Sequence, residues 1–376
     1  KNLEMIKVQD FYNELLKNDI AFFAGVPDSL LKDICAYITS HTPREKNIIT
    51  ANEGGAIALG AGYYLATNKI PLIYMQNSGI GNAVNPLLSL ADKEVYSIPM
   101  ILLIGWRGEP QTKDEPQHVK QGRVTPKLLK SMEIPFQIMD GKSNYEKIIN
   151  YTVKKAKEIL APVAILVRKN TFDSFLLNPC ENNIYELTRE KALEEVLQFI
   201  PKNSVIVTST GMLSRELFEL REKHKQSHKT DFLTVGSMGH TSQIALGIAL
   251  GRPEKQVFCF DGDGSAIMHL GNYAITSNIS PNNLKIIIFN NGAHDSVGGQ
   301  PTVGQWIDFP KIADAMHMKD FGSIQTQQEI KGILPQFINY PTIAFLDIRI
   351  KKGARKDLGR PTSTPLQNKE LLQTFF

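Results

Sequence analysis

Short apolar runs rich in β-branched residues alternate along this chain with longer amphipathic stretches. The runs read as buried strands and the stretches as helices. Ile48–Thr50, Pro71–Gln76, Met100–Trp106, Phe136–Met139 and Val163–Arg168 predict five strands in the first half. Ser204–Ser209, Phe232–Val235, Val257–Phe260, Lys285–Phe289 and Ile343–Ile350 predict five in the second. Steady strand–helix alternation is the pattern of a parallel sheet covered by helices. Residues 171–188, polar and carrying Pro179 and the pair Asn182-Asn183, read as a linker between a domain over 1–170 and one over 189–376.

The halves echo each other. Ile57-Ala58-Leu59-Gly60 recurs as Ile244-Ala245-Leu246-Gly247, the strand and turn ending at Gly79 match those ending at Gly264, and Met100–Gly108 matches Lys285–Gly292. Three matches at nearly one offset predict two domains of a single fold.

Composition narrows the class. At 376 residues, 42% apolar and 21% charged, the chain reads as globular with room for two ordinary domains. No apolar run approaches the roughly 18–20 residues of a membrane span, and Lys1 to Asp10 shows no signal-peptide core. Three scattered cysteines, Cys35, Cys180 and Cys259, argue against a disulfide framework and fit a cytoplasmic location. The net charge of +4 is dispersed, with no basic stripe, so nucleic acid is not an expected partner.

Two predicted strands end in unusual chemistry: Val257–Phe260 runs into Gly262-Asp263-Gly264-Ser265, and Ile286–Phe289 into Asn290-Asn291-Gly292. Open α/β sheets bind ligands at the carboxyl ends of their strands. A carboxylate, an amide oxygen and a backbone carbonyl gathered there suit a hard cation that also holds phosphate oxygens, as Mg²⁺ does. Other motifs carry less. Gly141-Lys142-Ser143 lacks the glycine a phosphate loop needs at position 136, which is Phe. His224 and His228 lie among Lys223, Lys225 and Lys229, a solvated charged segment.

The paired motifs resemble the signature of the thiamine-diphosphate enzymes. The resemblance implies an α/β fold of two related cofactor-binding domains, each a mainly parallel sheet flanked by helices, with no middle domain. It implies thiamine diphosphate and Mg²⁺ as cofactors, with Asp263, Asn291 and the Ala293 carbonyl as metal ligands. Thr210, Gly211, Gly262, Gly264 and Ser265 would hold the diphosphate. The Gly236 carbonyl would receive the cofactor's 4′-amino group, and Met238 would wedge it into a bent conformation. Glu53, placed before a helix rich in small residues, would bind the far nitrogen of the aminopyrimidine. The small residues Ala56, Gly60 and Ala61, with Ala245, Gly247 and Ala249, would join subunits in a homodimer whose sites lie between chains.

Longer words narrow the resemblance. Phe23–Ser29, Gln76–Gly79, Gly105–Pro110, Asp114–His118 and Asn291–Thr302 are similar to the phosphonopyruvate and sulfopyruvate decarboxylase family over nearly the whole chain. This implies loss of CO₂ from a keto acid bearing a phosphonate, with aminoethylphosphonate synthesis as the family's usual destination. Arg107, His118 and Ser29 would bind substrate, and Asp28, Ser29, His118 and Asp295 are the candidates for proton transfer. A sulfonate substrate is the nearest rival, and fusion of both domains in one chain leans toward the phosphonate. A carboligase and a non-catalytic subunit are more distant readings.

Overall fold

The computed structural model describes residues 4–177 and 184–376. The chain divides into two compact units, Lys1–Pro179 and Cys180–Phe376.

The first unit is built on β1 (Phe23–Gly25), β2 (Asn47–Ile49), β3 (Leu72–Gln76), β4 (Ile101–Gly105), β5 (Phe136–Met139) and β6 (Val163–Val167). All pair in parallel, in the order β2-β1-β3-β4-β6-β5. Every residue of β4 and β6 is buried, because helices cover both faces of the sheet. Successive side chains enter opposite cores: Leu103 and Ile165 join Phe11, Leu15 and Leu72, whereas Leu102, Ile104 and Leu166 join Ile57 and Ile73.

The second unit carries β7 (Val205–Thr208), β8 (Asp231–Leu233), β9 (Val257–Gly262), β10 (Leu284–Asn290), the short antiparallel pair β11 (Ala293–His294) and β12 (Gln300–Pro301), β13 (Lys319–Ile324) and β14 (Ala344–Arg349). Its parallel sheet runs β8-β7-β9-β10-β14-β13. Leaving out the hairpin, this is the strand order of the first unit, so the predicted repeat is a repeat of topology. Phe258, Phe260 and Phe289 fill one core, and Cys259, Ile286 and Ile288 the other.

Four details differ from the sequence reading. Strands β1 and β13 escaped it, since β1 (Phe23-Ala24-Gly25) holds no β-branched residue and β13 is a polar edge strand with an irregular register between Asp320 and Ser323. The linker expected over 171–188 is shorter. Phe172 bridges to Ile6, Asp173 Oδ1 accepts the Val8 N–H at 2.8 Å, and Lys351 N–H bonds to the Leu187 carbonyl, so both ends of that stretch belong to their units. Pro179, Cys180, Asn182 and Asn183 lie outside the described residues. Finally, five of the six small residues face inward, while Gly247 is exposed with open space where a Cβ would stand. Ala56, Gly60 and Ala61 are buried against their own sheet, and a Cβ on Gly60 would come within 2.8 Å of Ile73, so they serve helix-on-sheet packing. Ala245 and Ala249 are buried likewise. Cys35 and Cys259 are buried free thiols, and among the described residues no helix is long and apolar enough to cross a membrane.

Candidate active site

Each sheet has a switch in strand order near its centre, between β1 and β3 and between β7 and β9. The loops leaving the carboxyl ends part there and open a crevice. The candidate residues sit on those loops.

In the first unit, Glu53 opens the helix Glu53–Thr67, and Asn52 caps that helix by accepting the Gly55 N–H at 2.8 Å. Glu53 is 5% exposed, and its Oε2 accepts from Asn82 Nδ2 at 2.8 Å. Burial raises its pKa, and the Asn82 bond works against that rise. Asn82 belongs to the helix Ile80–Pro86. Pro86 has no N–H for the Asn82 carbonyl, and the next turn, Leu87–Ala91, widens to a π-helix.

Asp28 follows β1 and is wholly buried. Its Oδ2 accepts the Leu30 N–H at 2.9 Å, while Oδ1 has no hydrogen-bond partner among the described residues. Burial pushes its pKa up to about 6 against the pull of Leu30 and Arg107. Arg107, expected to bind substrate, is already engaged. Its Nε bonds to Asp114 Oδ2 at 2.8 Å, its NH2 to Asp114 Oδ1, and its NH1 to Ser29 Oγ at 2.7 Å. Burial favours the neutral Asp114, but the arginine and the N–H groups of Glu115 and Gly108 hold its carboxyl well below the usual range. Three of the five guanidinium N–H donors are thereby used, leaving two. Asn77 ties the loop to the sheet, donating to the Arg107 carbonyl at 2.9 Å and to Thr125 at 3.0 Å. His118 is buried in the helix Pro116–Ser131, with its backbone against Gly108. Lys113, Lys120 and Arg123 are exposed.

In the second unit four loops converge. Asp263 starts the helix Asp263–Met268, is 1% exposed, and accepts the Thr302 hydroxyl. Burial raises its pKa to about 7 in spite of Thr302 and backbone N–H groups. Asn291, beyond β10, donates from Nδ2 to Asp295 at 2.5 Å and accepts the Ala293 N–H on Oδ1 at 3.1 Å. Ser265 Oγ accepts the Gly239 N–H at 3.1 Å, tying down the loop that carries Gly236 and Met238. Met238 is half-buried and joins neither core of its unit. Gly211, with φ 101°, precedes the helix Met212–Lys223 and lies beside Ser296, while Thr210 is half-buried at its start.

A shared device was not visible as such in the sequence: each buried site carboxylate lies against a glycine. A Cβ on Gly79, Gly105 or Gly304 would overlap the carboxyl of Glu53, Asp28 or Asp263 respectively. Asn82, Thr302 and His294 were also missed as site residues. The His294 ring packs on Gly264, where a Cβ would lie 2.7 Å from Cε1, and burial lowers its pKa to about 4 despite Asp295. His224 and His228 bond instead to Glu194 and Glu222.

These residues fit a divalent cation with phosphate oxygens. Among the described residues no Lys or Arg pairs with Asp263, so its desolvation lacks the compensating charge that buried carboxylates require. The backbone N–H of Asn291 supports Asp263, so one carboxylate and one side-chain amide lie at adjacent strand ends, oxygen donors of the kind a hard cation takes. Among the described residues no group of three or more His, Cys, Asp and Glu forms a competing metal site.

Comparison with known proteins agrees. The model of the thiamine pyrophosphate enzyme N-terminal TPP binding domain matches residues 6–129, and that of the C-terminal TPP binding domain matches 209–348. A phosphonopyruvate decarboxylase of Streptomyces viridochromogenes is 29% identical across 99% of this chain and 95% of its own. A sulfopyruvate decarboxylase of Methanosarcina acetivorans is 27% identical across 96% of both. The sulfopyruvate decarboxylase subunit alpha of Methanocaldococcus jannaschii is 35% identical over 41% of this chain and 89% of its own. With both domain models matched in order on two sheets of one topology, the chain belongs to the thiamine pyrophosphate enzymes.

Proposed function

We propose that this chain decarboxylates phosphonopyruvate to phosphonoacetaldehyde and CO₂, acting as a homodimer or larger homo-oligomer. The observation that carries this reading is the end-to-end similarity to phosphonopyruvate decarboxylases, two of them 29% identical over at least 96% of this chain. Bound thiamine diphosphate supplies a cationic ring that accepts the electron pair left when CO₂ departs. The chain's own residues do the rest. Glu53, buried and inclined to keep its proton, holds the aminopyrimidine, while the Gly236 carbonyl and Met238 set its conformation. Asp263, Asn291 and the Ala293 carbonyl hold Mg²⁺, and Thr210, Gly211, Gly262, Gly264 and Ser265 line the diphosphate. The two free N–H groups of Arg107, with Ser29 and His118, meet the substrate's oxyanion. Asp28, with an unpartnered oxygen and a pKa near 6, can carry a proton at neutral pH.

Sulfopyruvate is the second reading. The Methanosarcina acetivorans relative is a single chain matched across 96% of both sequences, so fusion of the two domains does not separate the substrates. CO₂ release from phosphonopyruvate, sulfopyruvate and pyruvate, measured with and without thiamine diphosphate and Mg²⁺, decides between them. A cofactor-dependent preference for phosphonopyruvate is expected, and a preference for sulfopyruvate would transfer the proposal to the sulfonate.

A further inference from the structure

Behind Asn291 lies a buried ionic chain. Arg189 is 6% exposed and Glu216 is 1% exposed. Arg189 Nε and NH2 bond to the two oxygens of Glu216 at 2.8 and 3.2 Å, and NH1 to Asp295 Oδ2 at 3.1 Å. The same Asp295 oxygen accepts Asn291 Nδ2 at 2.5 Å and the Gly353 N–H at 3.0 Å. Burial works against the charge of Arg189, but Glu216 and Asp295 outweigh it.

This arrangement settles which way the Asn291 amide points. A carboxylate only accepts, so the group facing Asp295 must be the NH₂. On the other side Oδ1 meets the Ala293 N–H at 3.1 Å, which requires an oxygen there. Both neighbours demand the same orientation, and Oδ1 keeps a second lone pair. Asp295 has one crowded oxygen receiving three donors, an arrangement suited to holding groups in place.

We propose that Asp295, fixed by the Arg189–Glu216 pair, is a positioning residue that orients Asn291 as a metal ligand, and that it does not transfer the proton. The inference rests on the reading of Asp263 and Asn291 as ligands. It also assigns work to the chain ends of the unit, since Arg189 opens the helix Arg189–Leu197 and Gly353 follows β14. Groups supporting a metal's ligands typically contribute 10–100-fold to metal affinity.

The test is Mn²⁺ binding, followed by its electron paramagnetic resonance with thiamine diphosphate present, in the full chain. Asp263→Ala should abolish binding, and unchanged binding there would remove the metal site itself. With that site secure, Asp295→Ala should weaken Mn²⁺ roughly 10–100-fold. Asp295→Asn, which keeps an acceptor oxygen and the shape, should recover part of the loss. Turnover of Asp295→Asn should return toward wild type at saturating metal. Unchanged Mn²⁺ affinity with turnover still depressed at saturating metal would overturn the inference and give Asp295 the proton.

Discussion

The two units build the same sheet and place a carboxylate at its carboxyl edge, yet they arrange it for different work. Glu53 follows β2 and has a neutral amide, Asn82, as its partner. Asp263 follows β9, the counterpart of β3, and has a hydroxyl donor and backbone N–H groups. Burial raises both pKa values. The difference lies in what would relieve each. Glu53 is relieved by keeping a proton and donating it in a hydrogen bond, whereas Asp263 is relieved by a cation. On the proposed reading, one topology supplies an acid in one half and a metal ligand in the other, because loop residues, not strand order, choose the chemistry.

Breaking each side should give separable failures. The largest effect is expected from Asp263→Ala, which should abolish Mg²⁺-dependent cofactor binding; unchanged affinity by calorimetry would move the metal elsewhere. Glu53→Gln should next cost roughly 10²–10⁴-fold in turnover, measured by CO₂ release, and near-normal rates would remove its role. Gly79→Ala should displace the Glu53 carboxyl and destabilise the chain by about 1–3 kcal/mol, the scale of overpacking. Thermal unfolding checks this, and a silent substitution would show that the contact can relax.

A smaller and pH-dependent effect should come from Asp28. Its folded pKa of about 6 lies above the ordinary carboxylate value of 3.8, so the stability it contributes is fully present below about 3.8. This contribution fades as pH rises through about 6, and above that burying the ionised form is a cost. Asp28→Asn should therefore raise the Tm more at pH 8 than at pH 4. An equal shift at both would show that the carboxyl is not buried as described. Smallest is Arg107→Ala, which should raise KM for phosphonopyruvate more than for pyruvate, with steady-state kinetics as the check.

The strand pattern was legible wherever a strand was long and buried on both faces, as in β4, β6 and β10. It failed for β1, Phe23-Ala24-Gly25, which holds no β-branched residue, and for β13, whose polar sequence suits an edge. The proposed metal motif was legible because a cation demands particular residue types at two strand ends. The supports were not, because they depend on pairings distant in sequence. Asn82 meets Glu53, Thr302 meets Asp263, and Arg189 meets Asp295 only once the sheets are formed. The small-residue helices are ambiguous in sequence, since close packing on their own sheet and close packing on another subunit call for the same residues.

The division of labour between the units is tested most directly by titrating thiamine diphosphate and Mg²⁺ together into the wild type, Glu53→Gln and Asp263→Ala in a calorimeter. The account predicts that Glu53→Gln binds the cofactor while turning over slowly, and that Asp263→Ala does not bind it. Retained binding in Asp263→Ala with loss in Glu53→Gln would contradict it.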